Sequence, residues 1–373
     1  MLRSSPTPAS GPQLSRRTFL TLGSTLAAVA AIGGQTKAAA GRALKPIILV
    51  WEDGGASSIE TFDAKPDSPA EVRGTWGAIP AKTGAMFCDH FPLTASHADE
   101  LSVIRAIQSK ESSHGGGIRE YMGDPTLALQ YKRGGVKYTT IHVPGGFGFI
   151  DSAHQANKAD FKIEWSSERN AYVPPSLEPV VGRERLQQRR ELLRSFSDEP
   201  LSRDQELGLD LLLGGGQLRE AFALPDEDRE AYGKSPTGDA MLLAERLADA
   251  GASFVTVNVG NFDVHDRMYD RLNAIVPSLD RALATLLLRN HDKVIAVCGE
   301  FNRTPVINNS GGRDHWTDAN TALLNGKPGV YGSTDRFGRA RDGVVTTKQY
   351  RNTILALAGV EGLPGNEMIT QVL

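Results

Sequence analysis

At 373 residues, with 41 basic and 44 acidic side chains, the chain is long enough for one large domain or two small ones. The slight acidic excess offers neither a nucleic-acid surface nor a basic membrane patch. With only Cys88 and Cys298 present, a disulfide framework is excluded; the two either pair in an oxidising compartment or, as the mid-strand position of Cys298 favours, act as small buried hydrophobes.

The first forty residues read as a targeting segment. Ser15-Arg16-Arg17-Thr18-Phe19-Leu20 is a twin-arginine pattern, followed by a weakly apolar run from Thr21 to Gly34 and a small-residue site at Ala38-Ala39-Ala40. The run is too short and too rich in glycine and alanine to span a bilayer well. Residues 1–40 are therefore expected to be a signal peptide for the twin-arginine export machinery, with no stable membrane span. Residues 41–373 are expected to be the working domain, periplasmic or secreted. Export of folded, often cofactor-loaded proteins by this route favours a metalloprotein.

Pro46 to Trp51 is a continuous apolar run that suits a strand buried on both faces, and it passes straight into Glu52-Asp53-Gly54-Gly55. Such a carboxylate ahead of glycines either places a ligand at a tight turn or is simply a turn. Ser57 to Pro66 is a polar loop closed by proline. Leu93, His97 and Leu101 share helical spacing, and Ser102 to Ile107 reads as a short strand. Ser112-Ser113-His114-Gly115-Gly116-Gly117 then precedes a helix start near Ile118. A hydroxyl and an imidazole at a helix N-terminus make either a nucleophile with an anion site or a capped Ser/Gly linker.

From about 155 to 234 the sequence turns polar and irregular, with a charged helix at Arg183 to Phe196 and another at Leu207 to Phe222. This reads as a helical insertion with a solvated face. Regular patterning resumes with an amphipathic helix from Thr237 that stops at Gly251. Ser253 to Val259 is a strand, and Leu272, Ile275, Leu279, Leu283 and Leu286 mark one face of the next helix. Lys293 to Glu300 is the following strand. This βαβ unit makes the two strands parallel, which places Asp263 and His265 beside Glu300 at one sheet edge. Near the end, Asn320 to Leu324 is a short apolar segment, Gly329 to Gly332 is turn-like and Tyr350 to Leu357 is a closing helix.

Asp53, Asp263, His265, Glu300, Asp314 and His315 form a pool of carboxylate oxygens and imidazole nitrogens. That mixture suits zinc, manganese or iron better than calcium or a thiolate-bound metal. Paired ions roughly 3.5–4 Å apart would polarise a phosphoryl or sulfuryl oxygen and activate an attacking hydroxyl. Arg303 and Arg313 would either clamp the remaining anion oxygens or serve as solvated or structural ion pairs. A histidine next to an aspartate also has a plainer reading, a hydrogen-bonded pair.

These residues carry a resemblance. Gly54-Gly55 through Thr61-Phe62-Asp63-Ala64-Lys65-Pro66, Leu242 to Gly251, Phe262-Asp263-Val264-His265, Gly299 to Pro305, Gly312-Arg313-Asp314-His315-Trp316 and Tyr331 to Asp335 resemble the bacterial family catalogued as domain of unknown function 1501. That family is similar in fold to the alkaline phosphatase and sulfatase superfamily. The resemblance implies a first metal carboxylate at Asp53 and a nucleophile at Ser113. It implies later ligands at Asp263, His265, Glu300 and His315, with Asp314 adjacent. The superfamily has an Asp-His pair where this chain has Glu300-Phe301, and phenylalanine cannot ligate.

The expectation is thus an alkaline-phosphatase-like α/β domain with a mostly parallel central sheet, helices on both faces and a helical insertion. The leading function is an exported hydrolase of a phosphate or sulfate ester that uses one or two divalent ions, zinc or manganese. Its substrate would be a small anionic ester or a sulfated or phosphorylated polymer. Ser113 would be nucleophile or substrate contact, and His114 ligand or acid/base. The alternative is a non-catalytic secreted binding or assembly protein on the same fold.

Overall fold

The computed structural model describes residues 44–123, 138–144, 161–173, 183–196 and 220–373. The signal expected at 1–40 and nearly all of the helix expected at Leu207 to Phe222 lie outside the described residues.

The frame is a sheet whose central strands are the apolar runs read from the sequence. Its strands are β1 (Ile47–Glu52), β2 (Ser102–Gln108), β3 (Tyr138–His142), β4 (Phe161–Ser166), β5 (Ala171–Val173), β6 (Phe254–Val259), β7 (Val294–Cys298), β8 (Asn320–Leu324), β9 (Gly329–Tyr331) and β10 (Val345–Thr346). The order across it is β9-β2-β8-β7-β1-β6-β3-β4-β5, with β10 also on β2. β1 lies at the centre, parallel to β6 on one side and β7 on the other. Only β5 and β8 run against their neighbours. The sheet is therefore mostly parallel, and the C-terminal ends of β1, β2, β6 and β7 open on one edge.

Helices α1 (His114–Met122), α4 (Pro236–Asp249), α5 (Met268–Arg289) and α6 (Thr347–Leu357) cover the two faces, and α2 (Arg183–Phe196) and α3 (Asp226–Tyr232) are further helices. The period-two alternation of β1 divides the core between them. Ile48 and Val50 join the layer with Leu243 and Leu247 of α4 and Leu279 and Leu283 of α5. Ile47, Leu49 and Trp51 join the opposite layer with Ile118 and Met122 of α1 and Tyr350 and Ile354 of α6. Two helix starts follow local capping chemistry. Ser235 accepts from the Gly238 amide ahead of Pro236, and Thr346 with Gln349 forms a reciprocal capping box.

Two expectations are corrected. The stretch from 155 to 234 is not purely helical, because β4 and β5 extend the sheet within it; β4 pairs with β3 and so satisfies an edge that helices would leave open. Gly329 to Tyr331 is an edge strand on β2 rather than a turn. Among the described residues no helix is long and apolar enough to cross a membrane. Cys88 and Cys298 are both buried and free.

Candidate metal centre

Three chain reversals deliver the site. The β6 strand ends at Val259 and its loop carries Asp263 and His265; β7 ends at Cys298, two residues before Glu300. A short antiparallel ribbon, Asn302–Arg303 against His315–Trp316, then returns the chain so that Arg303 faces His315 in register. After β2, α1 begins at His114 with its N-terminus against the Glu300 loop. Gly117 permits that approach, since a Cβ there would collide with the Glu300 carbonyl. Gly54 meets the Asp263 backbone equally closely at a φ of 102°, a conformation that favours glycine.

Three imidazoles surround the Asp263 carboxylate. His315 Nε2 lies 3.1 Å and His265 Nε2 2.9 Å from Oδ1, and His114 Nε2 lies 3.4 Å from Oδ2. The His265 and His315 Nε2 atoms are 3.2 Å apart. Each ring is backed at Nδ1 by an acceptor: Glu300 Oε1 at 2.7 Å for His114, Asp314 Oδ1 at 2.7 Å for His265, and the Ser112 carbonyl at 2.6 Å for His315. With those acceptors at Nδ1, each ring turns its Nε2 toward its neighbours and the Asp263 carboxylate. Ring nitrogens and carboxylate oxygens so arranged are a donor set that could hold a cation. The outer acceptors are the kind that orient metal-bound histidines.

The spacing fits such an ion. Bonds of zinc to nitrogen and oxygen imply ligand–ligand edges of about 3.3 Å in a tetrahedral site. The 2.9, 3.1 and 3.2 Å separations around Asp263, His265 and His315 are of that size. Ligand atoms of His114, Asp263 and His315 all lie within 4.8 Å of one another, so this group can hold a metal ion. The other such group among the described residues is the consecutive run Cys88-Asp89-His90, where burial pushes the Cys88 thiol well above its usual range.

Charge at the centre is strongly coupled. Burial pushes the Asp263 carboxyl up, but hydrogen bonds from His114, His315 and Arg303 outweigh it and hold it well below the usual carboxylate range. Burial pulls the His114 imidazole down, yet Asp263 and Glu300 overcome that and raise it to about 9. Asp314 is lowered chiefly by its hydrogen bond to His265.

The structure thus brings His114, Asp263 and His315 together as one possible ligand group, with His265 beside Asp263 and His315. The other expected residues stand around it. Glu300 is fully buried, and its Oε1 also accepts from the Gly54 amide at 2.9 Å. Asp314 backs His265 from the solvent side. Asp53 is fully buried at the end of β1, where its carbonyl accepts from the Phe262 amide. It is not among the converging ligand atoms. Ser113 is exposed and caps α1, its Oγ accepting from the Gly116 amide at 3.2 Å.

The two arginines sit among internal contacts, as in the structural-ion-pair alternative. Arg313 is buried and turned away from the pool, donating to Glu60 Oε1 at 2.5 Å and to the Val72, Thr304 and Pro305 carbonyls. Arg303 is 2% exposed and donates to Asp263 Oδ1 at 2.6 Å and to the carbonyls of Gly54, Gly55 and Arg313. Both guanidiniums are engaged by the protein because the loops around them present carbonyls that need donors.

Sequence reasoning missed the Ser112 carbonyl, which no side-chain pattern reveals, and Glu60, the buried partner of Arg313. It also missed Glu52, whose place inside β1 a longer strand would have shown. The Asp63-Lys65 motif proves structural: Asp63 holds Lys65, Arg105 and Thr334.

No curated protein matches the chain. Solved structures are similar to it at low identity. An alkaline phosphatase from the Antarctic bacterium TAB5 is 12% identical with a TM-score of 0.39, over 86% of this chain and 100% of that one. The C-terminal periplasmic domain of EcEptC from Escherichia coli, in complex with Zn, is 9% identical with a TM-score of 0.35, over 89% and 87%. BT4656, in complex with its substrate D-glucosamine-2-N, 6-O-disulfate, is 10% identical with a TM-score of 0.30, over 87% and 78%. The family described as "Protein of unknown function (DUF1501)" matches residues 44–123 and 143–362, most of the chain, and the chain belongs to it.

Proposed function

We propose that this chain is an exported, metal-dependent hydrolase of a phosphate or sulfate ester. The observation that supports it most is the convergence of three imidazole Nε2 atoms on Asp263, each ring backed at Nδ1 by an acceptor. Asp263, His315, His114 and His265 would hold a divalent ion of the zinc or manganese kind. Bound there, such an ion supplies Lewis-acid polarisation of an ester oxygen and activation of the attacking hydroxyl. Glu300, Asp314 and the Ser112 carbonyl keep the rings turned toward it. Ser113, exposed and adjacent to His114, is the proposed nucleophile, and the substrate is a small anionic ester or a sulfated or phosphorylated polymer. The twin-arginine pattern at Ser15 to Leu20 supports export to the periplasm or beyond.

A second reading has its own observation. Both arginines are consumed by internal contacts, so neither is free as an anion clamp, which favours a secreted binding or assembly protein on this fold. Metal content of protein purified without chelator, followed by a panel of aryl phosphates and sulfates, separates the two. Bound metal with turnover that Asp263→Asn abolishes is expected; absence of metal and of any metal-restored turnover overturns the enzyme reading.

A further inference from the structure

We infer that the centre takes a single divalent cation, with the Arg303 guanidinium supplying the second positive charge and Glu300 acting only through His114, from outside the coordination sphere. The inference rests on the metal-dependent reading above and says what kind of centre it is.

A second ion would need its own donors on the β7 side of Asp263, and three observations occupy that side. First, Arg303 Nη2 reaches Asp263 Oδ1 at 2.6 Å, and Nη1 lies 3.4 Å from His265 Nε2. The guanidinium is tied to the Gly54 and Gly55 carbonyls and buried, so it is a fixed charge that cannot swing aside. A second ion on this side would meet the combined repulsion of the fixed guanidinium and the first ion, with little solvent screening. Second, Glu300 Oε1 is shared between His114 Nδ1 and the Gly54 amide, which uses it as an acceptor behind the ring. Third, Phe301 is fully buried, with its ring centroid 4.4 Å from that of His315 and 5.1 Å from that of His114. Carbon therefore packs against the rings where further ligands would be needed.

One feature argues the other way: Glu300 Oε2 is buried without a hydrogen-bond partner. A second cation would exploit that oxygen, so Glu300 is the residue to test. In this proposal it is a positioning residue. Glutamine at that place keeps a carbonyl oxygen for His114 and Gly54 but gives up the charge that a ligand needs.

The full chain, stripped with chelator, is titrated with zinc by calorimetry and with cobalt(II) by visible absorption. One equivalent is expected. Glu300→Gln is expected to keep one equivalent, with Kd within about tenfold and the cobalt band unmoved. Glu300→Ala is expected to weaken binding roughly 10–100-fold at unchanged stoichiometry, the usual effect of losing an outer partner. Two equivalents in the native chain, falling to one in Glu300→Gln, would make Glu300 a ligand and overturn the proposal while leaving the metal-dependent reading intact. Binding of no zinc or cobalt by the native chain overturns that reading itself.

Discussion

At His315 the ring nitrogen Nδ1 faces the Ser112 carbonyl, an atom that can only accept, so Nε2 is the nitrogen turned toward Asp263. Ser113, next along the chain, has two possible jobs that substitution separates. Alanine at a helix N-cap costs about 1 kcal/mol, whereas glycine costs only a few tenths. Ser113→Gly is thus expected to leave the urea midpoint almost unchanged while abolishing ester turnover; retained turnover would reduce Ser113 to its capping role. Arg313 belongs to stability instead. Its ion pair with Glu60 is buried on both sides, 1% and 2% exposed, and removing one partner strands the other charge. Arg313→Met is expected to cost about 3–5 kcal/mol in denaturant unfolding, with metal affinity and KM unchanged in the folded fraction. A raised KM at unaltered stability would restore Arg313 as an anion clamp.

The decisive element is β1, whose end lies beneath the centre. Its last residue, Glu52, is fully enclosed, and burial first and Glu300 second raise its carboxyl from 4.5 to about 8. Cys298 and Tyr350 also face it, both held neutral by burial. A folded-state value above the unfolded one means that the fold favours the protonated acid. The corresponding stability is complete below about pH 4.5 and is lost as pH rises through about 8. Glu52→Gln is expected to flatten this slope and to raise stability at pH 8 by an amount on the order of a few kcal/mol. Unfolding free energies measured across that range check it, and an unchanged slope would mean that Glu52 is already ionised. On the opposite flank, Gly117 is the member of the α1 glycine run that packs closely against the Glu300 loop.

For the molecule as a whole, an ion at this centre would tie together segments distant in sequence: the start of α1, the β6 loop and the returning ribbon. A ligand that binds only the folded state stabilises it by about 2.7 kcal/mol at a hundredfold excess over Kd. For a domain of this size that corresponds to a melting shift of roughly 5 °C. Chelation is therefore expected to lower Tm by about that much and zinc to restore it, as scanning calorimetry would read; an indifferent Tm would leave these side chains as ordinary hydrogen-bonding partners.

The alternation and length of its apolar runs determined that this chain builds a mostly parallel sheet covered on both faces. The βαβ pattern around α5 likewise sufficed to put Asp263, His265 and Glu300 on one edge, because parallel strands share a direction. Local residue order could not say which of the six pooled donors would converge. That depended on the Arg303–His315 register and on the approach of α1, both set by packing between distant segments. Nor could it distinguish a ligand from a support or an anion clamp from a buried tie. Glu300, Asp314, Arg303 and Arg313 took their places through buried donors and acceptors that only the assembled loops bring within reach.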